Sequence, residues 1–488
     1  MEYDTIICFE IHVELKTKTK LFCACATEYG APPNAQVCPV CTGQPGSLPV
    51  LSKKAVELCV MAGKALHCTI NATSRFARKN YFYPDLPKGY QISQYERPLC
   101  ENGYLEIMSD DGQPYAVGIR RIHLEEDAGK LVHSADSFEK SDYSLVDYNR
   151  SGIPLIEIVA DHTRNPLRST REAQAYLETL RQTLQYIDVS DCIIERGQFR
   201  CDVNISLRPK GSQPFGNRTE IKNLASFKSV VDALSHEIKR QLELVQSGGH
   251  VFQETRLFDE EKRVTVPMRT KEDAPDYRYF PDPDLVEIEI DRAFAENVKN
   301  NTPELPEQKV NRLIDKFGVS PNDALILARD KNIANFFADC ADHCKDRKKL
   351  SQWIIKELFK LLNQASTPMH ECSVSPRDFS DLINRIAQGE ISDKMGRAVL
   401  EEMFETGASP ESIIVKRGLK LIDDTAVLGK AVAEVMAEHP FAASQIAQGM
   451  TKPVGFLIGQ VMKKTDGRAH PKIVRDLIRK RLGSKPAG

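Results

Sequence analysis

In the segment Glu10-Ile-His-Val-Glu-Leu15, charged and aliphatic residues alternate without a break. Only an extended strand sorts such a pattern onto two faces, because successive side chains point to opposite sides. Ile11, Val13 and Leu15 then share one face, and Glu10, His12 and Glu14 share the other. The run Arg200-Cys-Asp-Val-Asn-Ile-Ser-Leu-Arg208 repeats the pattern, setting Arg200, Asp202, Asn204, Ser206 and Arg208 opposite Cys201, Val203, Ile205 and Leu207. Thr219-Glu-Ile-Lys-Asn223 puts Glu220 and Lys222 on one side of Ile221, and Arg120-Arg-Ile-His-Leu-Glu-Glu-Asp127 crowds acids and bases together. These groups are too costly to bury in a core. Each strand therefore belongs to a sheet with one buried and one polar face, the habit of antiparallel sheets.

Such strand patterns cluster in residues 1–293 rather than alternating strictly with helices, which predicts an α+β fold with a mainly antiparallel sheet. Three amphipathic helices interrupt them. Ser52 opens one that runs to Leu66. Ser169 and Glu172, at capping-box spacing, precede one with Ala173, Tyr176, Leu177, Leu180 and Leu184 on a single face. Ser226 opens a third, with Val230, Leu234, Ile238, Leu242 and Val245 as its stripe and Gly248-Gly249 as its stop. From residue 294 the strand patterns cease and periods near 3.6 take over. At 488 residues about three domains are expected. The composition breaks place them at 1–293, 294–405 and 406–488, the last two helical, with a loop over 363–378.

No apolar run approaches the ~20 residues of a membrane span, and the first fifteen residues read as a strand, so the expected location is the cytoplasm. The 13 cysteines are an odd number and most stand singly in apolar stretches, as reduced core residues do. Four do not. Cys23-Ala-Cys25 and Cys38-Pro-Val-Cys41 form two closely spaced pairs separated by twelve residues, a zinc-knuckle pattern. The formal net charge is −2, yet residues 451–488 carry ten basic side chains against two acidic ones. A basic tail on an acidic body suits a chain that grips nucleic acid at one end.

Carboxylates from several strands, joined by Arg and Lys, are what phosphoryl transfer needs: a divalent cation between phosphates and fixed positive charge around them. The chain has neither a Gly-x4-Gly-Lys-Ser/Thr loop nor a Gly-x-Ser-x-Gly elbow. ATP would be held without a common phosphate loop, and no amidase nucleophile is evident. Arg78-Lys-Asn-Tyr-Phe-Tyr-Pro-Asp85, running on to Gln94, offers cations and rings that could stack on an adenine or on an unstacked RNA end; an aromatic turn packed on the core is the plainer alternative.

Taken together, EIHVEL at 10–15, RKNYFYPDLPK at 78–88, YQISQ at 90–94, HLEEDAGK at 123–130, GIPLIEIV at 152–159, RCDVNISLR at 200–208, EIKN at 220–223, DYRYFPDPD at 276–284 and GFLIGQVMK at 455–463 resemble the GatB family, the B subunits of the aspartyl/glutamyl-tRNA amidotransferases. The resemblance spans essentially the whole chain. It implies a cradle-shaped kinase domain, a helical domain and a small helical tail. The implied chemistry is ATP- and Mg²⁺-dependent phosphorylation of the side-chain carboxylate of Glu or Asp misacylated onto tRNA, followed by displacement with ammonia. A separate amidase (glutaminase) subunit would release that ammonia from glutamine, and a small third subunit would complete a heterotrimer. By motif position the family's metal ligands fall on Glu10, His12, Glu126, Asp202 and Glu220, with Lys79 beside the nucleotide. Arg200 and Glu125 are expected next to that set. Strand alternation by itself would have chosen Glu125 over Glu126. The chain departs from the usual pattern at Cys8, where the family has Gly, and at Arg196 and Gln198. Two other classes fit parts of the pattern: a non-catalytic zinc-stabilised tRNA-binding scaffold, and a metal-dependent nuclease.

Overall fold

The computed structural model describes residues 2–134, 141–212, 214–270, 276–419, 421–422, 424–448, 450, 452–465 and 467–482. It divides into two units, Met1–Leu305 and Pro306–Gly488.

The first unit is built on a nine-stranded sheet. In chain order its strands are β1 (Tyr3–Glu14), β2 (Thr69–Ile70), β3 (Cys100–Met108), β4 (Pro114–Glu126), β5 (Pro154–Ala160), β6 (Phe199–Pro209), β7 (Thr219–Lys222), β8 (Glu254–Asp259) and β9 (Val264–Thr270). Their spatial order is β9-β8-β7-β6-β1-β5-β4-β3-β2. Every pairing is antiparallel except that of β7 with β8. The strand that opens the chain thus lies in the middle of the sheet, between β5 and β6.

Alternation sorts the strands as expected. Ile7, Phe9, Ile11 and Val13 of β1, Ile156 and Ile158 of β5, and Val203 and Ile205 of β6 are fully buried in one core. The helices α1 (Lys53–Ala65), α2 (Thr170–Tyr186) and α3 (Phe227–Gln246) contribute to that core. Ser52, Ser169 and Ser226 cap them, each hydroxyl accepting from an amide of the first turn. Glu172 departs from a full capping box by taking the Arg168 amide and guanidinium instead. Along α3, Val230 and Leu234 are buried as expected, whereas Ile238, Leu242 and Val245 are only half-buried. Glu237 and Gln241 take the inner positions of that half: Arg240, Arg256 and Thr265 partner Glu237, and the Gln241 amide nitrogen donates to Thr219 and Glu237.

The first unit extends past the break expected at 293. Helix α4 (Arg292–Asn300) puts Val298 into the sheet's core, and Pro306 starts the next unit's first helix. The second unit is helical, among the described residues, with two apolar clusters. One runs from Leu313 to Leu421 and the other from Leu428 to Ile478. The break expected at 405 is displaced as well: Gly407-Ala-Ser-Pro410 is a turn within one cluster, where Ser409 caps Pro410–Arg417 and Ile413 is buried. Among the described residues, no helix is long and apolar enough to cross a membrane.

Candidate catalytic face and cysteine centre

The face of the sheet opposite the core collects the polar halves of β1, β4, β5, β6 and β7. Antiparallel partners share a face, so register alone places His12 in one row with Arg200, Glu157 and His123, and Glu10 in the next with Asp202 and Arg121. His12 Nε2 lies 3.5 Å from Glu125 and 3.7 Å from Glu157, and His123 Nε2 lies 3.1 Å from Glu157 and 3.5 Å from Glu125. One ligand atom from each of His12, Glu125 and Glu157 falls within 4.8 Å of the others. Beside this trio, Asn204 donates to Glu10 at 3.1 Å, and Lys222 bridges Asp202 at 2.5 Å and Glu220 at 3.0 Å.

The ionisable groups on this face shift one another. Burial first, and then the charges of Glu157, Glu220 and Asp202, raise the Glu10 carboxyl, with Lys222 opposing. Burial also works against an ionised Glu157, yet the charge and hydrogen bond of His123 hold it well below the usual carboxylate range. His123 in turn is disfavoured as a cation by burial but lifted to about 9, chiefly by Glu157. Crowded carboxylates of this kind, with an imidazole among them, form an oxygen-rich donor set that suits a hard divalent cation.

Of the ligands implied by the resemblance, Glu10, His12, Asp202 and Glu220 share this face, but Glu126 does not. Strand β4 pairs in unbroken register through Glu126, and its irregularity falls at Val159/Ala160 on the partner strand. Alternation therefore keeps His123 and Glu125 on the polar face and turns Glu126 to the other side. There Lys88 Nζ and the Ile92 amide both donate to Glu126 Oε1. Glu125 joins His12 instead, with Ser93 Oγ donating to it at 2.9 Å. Glu157, which the sequence reading did not single out, completes the trio. Its signal was a lone acid at the centre of the apolar run Ile153-Pro-Leu-Ile-Glu-Ile-Val-Ala160.

Two cavities flank the row. One, of about 290 Å³, is lined by His12, Glu125, Asp202, Lys79, Arg200 and Tyr81 among others. Lys79 sits 4.8 Å from the centre of the Tyr277 ring, and Arg200 binds Asp127 at 2.9 Å while its Nε stays buried without a partner. An orphaned guanidinium donor beside a lysine suits phosphate oxygens. The other cavity, about 530 Å³, is lined by Glu10, Glu157, Asn204 and the cations Arg120, Arg121 and Arg218. Lys79 is held by a small separate sheet in which Ala77–Asn80 lies between Tyr90–Ser93 and Phe280–Pro281. Arg78 locks it by pairing Asp282 and Asp284, each at 2.8 Å, and stacking 4.1 Å from the Tyr90 ring centre. The neighbouring motifs at 78–88 and 90–94 thus form one piece of structure with the distant motif at 276–284.

The four knuckle cysteines converge, with ligand atoms of Cys23, Cys25, Cys38 and Cys41 all within 4.8 Å of one another. Cys38 Sγ and Cys41 Sγ are 3.9 Å apart, close to the ~3.8 Å edge of a tetrahedron with 2.3 Å zinc–sulfur bonds. The Cys41 thiol is pulled down to about 4, first by the hydrogen bond from Cys23, against burial, with the Cys38 amide and the charge of Lys20 adding. These donors fit a soft-ligand metal centre.

Two family models cover most of the chain: the GatB/GatE catalytic domain over residues 5–296, and the GatB domain over 335–482. The chain belongs to the GatB family. Relatives named as the B subunit of aspartyl/glutamyl-tRNA(Asn/Gln) amidotransferase match it end to end. That of Carboxydothermus hydrogenoformans is 48% identical over 481 residues, covering 99% of both chains. That of Caldicellulosiruptor bescii is 49% identical over 485 residues, again 99% of both, and that of Moorella thermoacetica 48% over 482 residues, covering 99% of this chain and all of its own. The chain's departures from the usual GatB pattern are placed by the structure. Arg196 turns away from the polar row and stacks 5.0 Å from the Tyr29 ring centre, in the loop between the cysteine pairs. The Gln198 side chain accepts from the Ile193 amide, and its backbone carbonyl accepts from the Glu14 amide. Cys8 lines the larger cavity, its thiol pushed up to about 12, mainly by burial.

Proposed function

We propose that this chain is the tRNA-dependent kinase and transamidase component of an amidotransferase, converting Glu-tRNA(Gln), Asp-tRNA(Asn) or both to the amidated forms. The observation that carries this reading is the meeting of Glu10, His12, Glu125, Glu157, Asp202 and Glu220 with Arg200 and Lys222 on one sheet face, between two cation-lined cavities, the smaller of which Lys79 joins from the separate three-stranded sheet. A binding scaffold has no use for crowded, mutually repelling carboxylates, one of them buried and the rest half-buried.

ATP phosphates fit the smaller cavity, beside Lys79 and the free donor of Arg200. The 3′ end of the tRNA fits the larger one, where Arg120, Arg121 and Arg218 match its phosphates. The side-chain carboxylate of the attached amino acid then attacks the γ-phosphorus. An oxygen–phosphorus bond forms, the β–γ bridge breaks and ADP leaves. Ammonia attacks the acyl carbon, expels inorganic phosphate and loses a proton, leaving the amide. His12, Glu125 and Glu157, with Glu10 and Asp202 adjacent, would hold Mg²⁺, which would supply charge neutralisation when bound. Lys79, Arg200 and Lys222 are fixed cations that need no reorganisation as charge develops. The fold buries the opposite sheet face and so keeps these groups aligned.

Ammonia comes from glutamine through an amidase (glutaminase) partner, with a small third protein completing a cytoplasmic heterotrimer. Zinc in the Cys23/Cys25/Cys38/Cys41 centre is structural, since four thiolates leave no open position. The test uses the assembled complex. Asp202→Ala and Glu10→Ala should abolish ADP formation that depends on misacylated tRNA, while basal glutamine hydrolysis survives. Near-wild-type amidation by Asp202→Ala would overturn the assignment.

A further inference from the structure

Lys20 is fully buried, with no exposed surface. Its Nζ donates to the Tyr148 carbonyl at 3.1 Å and approaches Cys41 Sγ at 3.6 Å. No carboxylate pairs with it among the described residues. Its stem packs on Gly152, where an added Cβ would lie 3.4 Å from Lys20 Cδ and 3.5 Å from Cys41 Cβ. The position is braced from the main chain as well: the Lys20 amide donates to the Cys25 carbonyl at 2.9 Å, and the Leu21 amide to the Gly152 carbonyl at 2.8 Å.

A buried ammonium needs an anion. Removing it from water costs several kcal/mol, and one neutral carbonyl does not offset that. The nearest candidate anion is the cysteine centre. Four thiolates around a divalent metal carry two net negative charges, themselves under cover. Each charge solves the other's problem.

We propose that Lys20 is the counter-cation of the four-thiolate metal centre, donating an N–H···S hydrogen bond to Cys41 and cross-bracing the two cysteine turns. This rests on the zinc reading given above. The backbone of Lys20 is tied to the first turn through Cys25 and its ammonium to the second through Cys41. The contact with Tyr148 carries the brace to the segment that leads into β5, where Ser151 Oγ also reaches the Cys41 carbonyl at 3.3 Å. Lys20 touches no group of the catalytic face. It is a positioning residue, acting on the metal centre through thiolate charge.

The test uses the full chain loaded with zinc. Lys20→Met keeps the length and apolar stem and deletes the charge and the donor. Zinc should pass to a chromophoric chelator at a concentration ~10–100-fold lower than for wild type, the usual loss when a partner of a metal ligand is removed. In the cobalt-substituted protein the sulfur-to-metal charge-transfer band should move to lower energy, because a thiolate relieved of a hydrogen bond gives up its electrons more readily. A merely structural role would not move that band. Should Lys20→Met fail to fold by circular dichroism, Lys20→Gln, which keeps a donor without the charge, carries the same comparison and should also release zinc earlier than wild type. Wild-type chelator resistance and an unmoved band in a folded variant would overturn the role of Lys20 and leave the zinc reading standing. Wild-type protein that binds no zinc would overturn both.

Discussion

Glu125 and Glu126 are adjacent on β4 but face opposite ways, and that separates two kinds of damage. In Glu126→Gln the amide oxygen can still accept from the Ile92 amide, but the charge facing Lys88 is gone. The two side chains are only 10% and 4% exposed, so solvent cannot take over. Stranding one partner of a buried pair costs ~3–5 kcal/mol. At ~1.4 kcal/mol per decade, amide exchange over residues 90–94 and 121–126 should quicken between about a hundredfold and a few thousandfold. Glu125→Gln instead removes charge from the catalytic face and should lower tRNA-dependent ADP formation by ~100-fold or more. Hydrogen exchange read by mass spectrometry is the right probe, because it resolves these segments directly, whereas the single tryptophan, Trp353, belongs to the other unit. If Glu126→Gln abolishes ADP formation with exchange over 90–94 unchanged, and Glu125→Gln remains active, then the assignment of faces is wrong.

The purified chain should carry about one zinc, and Cys38→Ala with Cys41→Ala should lose it on elemental analysis; zinc retained by the double variant counts against the centre. Tyr176→Phe should raise stability by ~1 kcal/mol, because the Tyr176 hydroxyl is buried without a partner while its ring stacks 5.9 Å from that of Phe9; a lower melting temperature would refute this. Deleting residues 424–488 should weaken tRNA binding and flatten its salt dependence by ~0.7–0.9 per lost phosphate contact. A cut at 407 is the wrong experiment, since it strips Ile413 and Leu421 from the helical core. Equal affinity and equal salt slope for the shortened chain would exclude the tail from RNA binding.

Much of the sheet was legible because alternation is local. The residues that repeat every second position from Glu10 to Leu15 and from Arg200 to Arg208 take the faces the sequence assigns them. The cysteine pairs were legible for the same reason: their spacing is the signal. What sequence could not supply was lateral position. That β1 lies between β5 and β6, bringing Glu157 opposite His12, depends on pairings across more than a hundred residues. The tail was readable in part: Pro471 at a first helical position, Gly483 just past the end, and Ile473, Val474, Leu477, Ile478 and Leu482 at helical spacing predict one helix. It begins at Pro471, with Val474 and Ile478 fully buried and Ile473 and Leu477 half-buried. The Leu482 side chain and Gly483, assigned to its stripe and its stop, lie outside what the structure describes.

The central position of β1 also fixes a timetable. In a growing chain β1 leaves the ribosome ahead of both its neighbours, and its inner face of Ile7, Phe9, Ile11 and Val13 waits for strands that begin at Pro154 and Phe199. At ~5–20 residues per second that wait is on the order of ten seconds. Throughout it, a strand with two open edges and one oily face must stay soluble, and its acids and histidine are the only solubilising groups it has. The same Glu10, His12 and Glu14 that alternate with its apolar face, two of them later joining the polar row, therefore serve first as gatekeepers against premature pairing. Replacing them all with neutral residues would endanger the nascent chain before it endangered the chemistry.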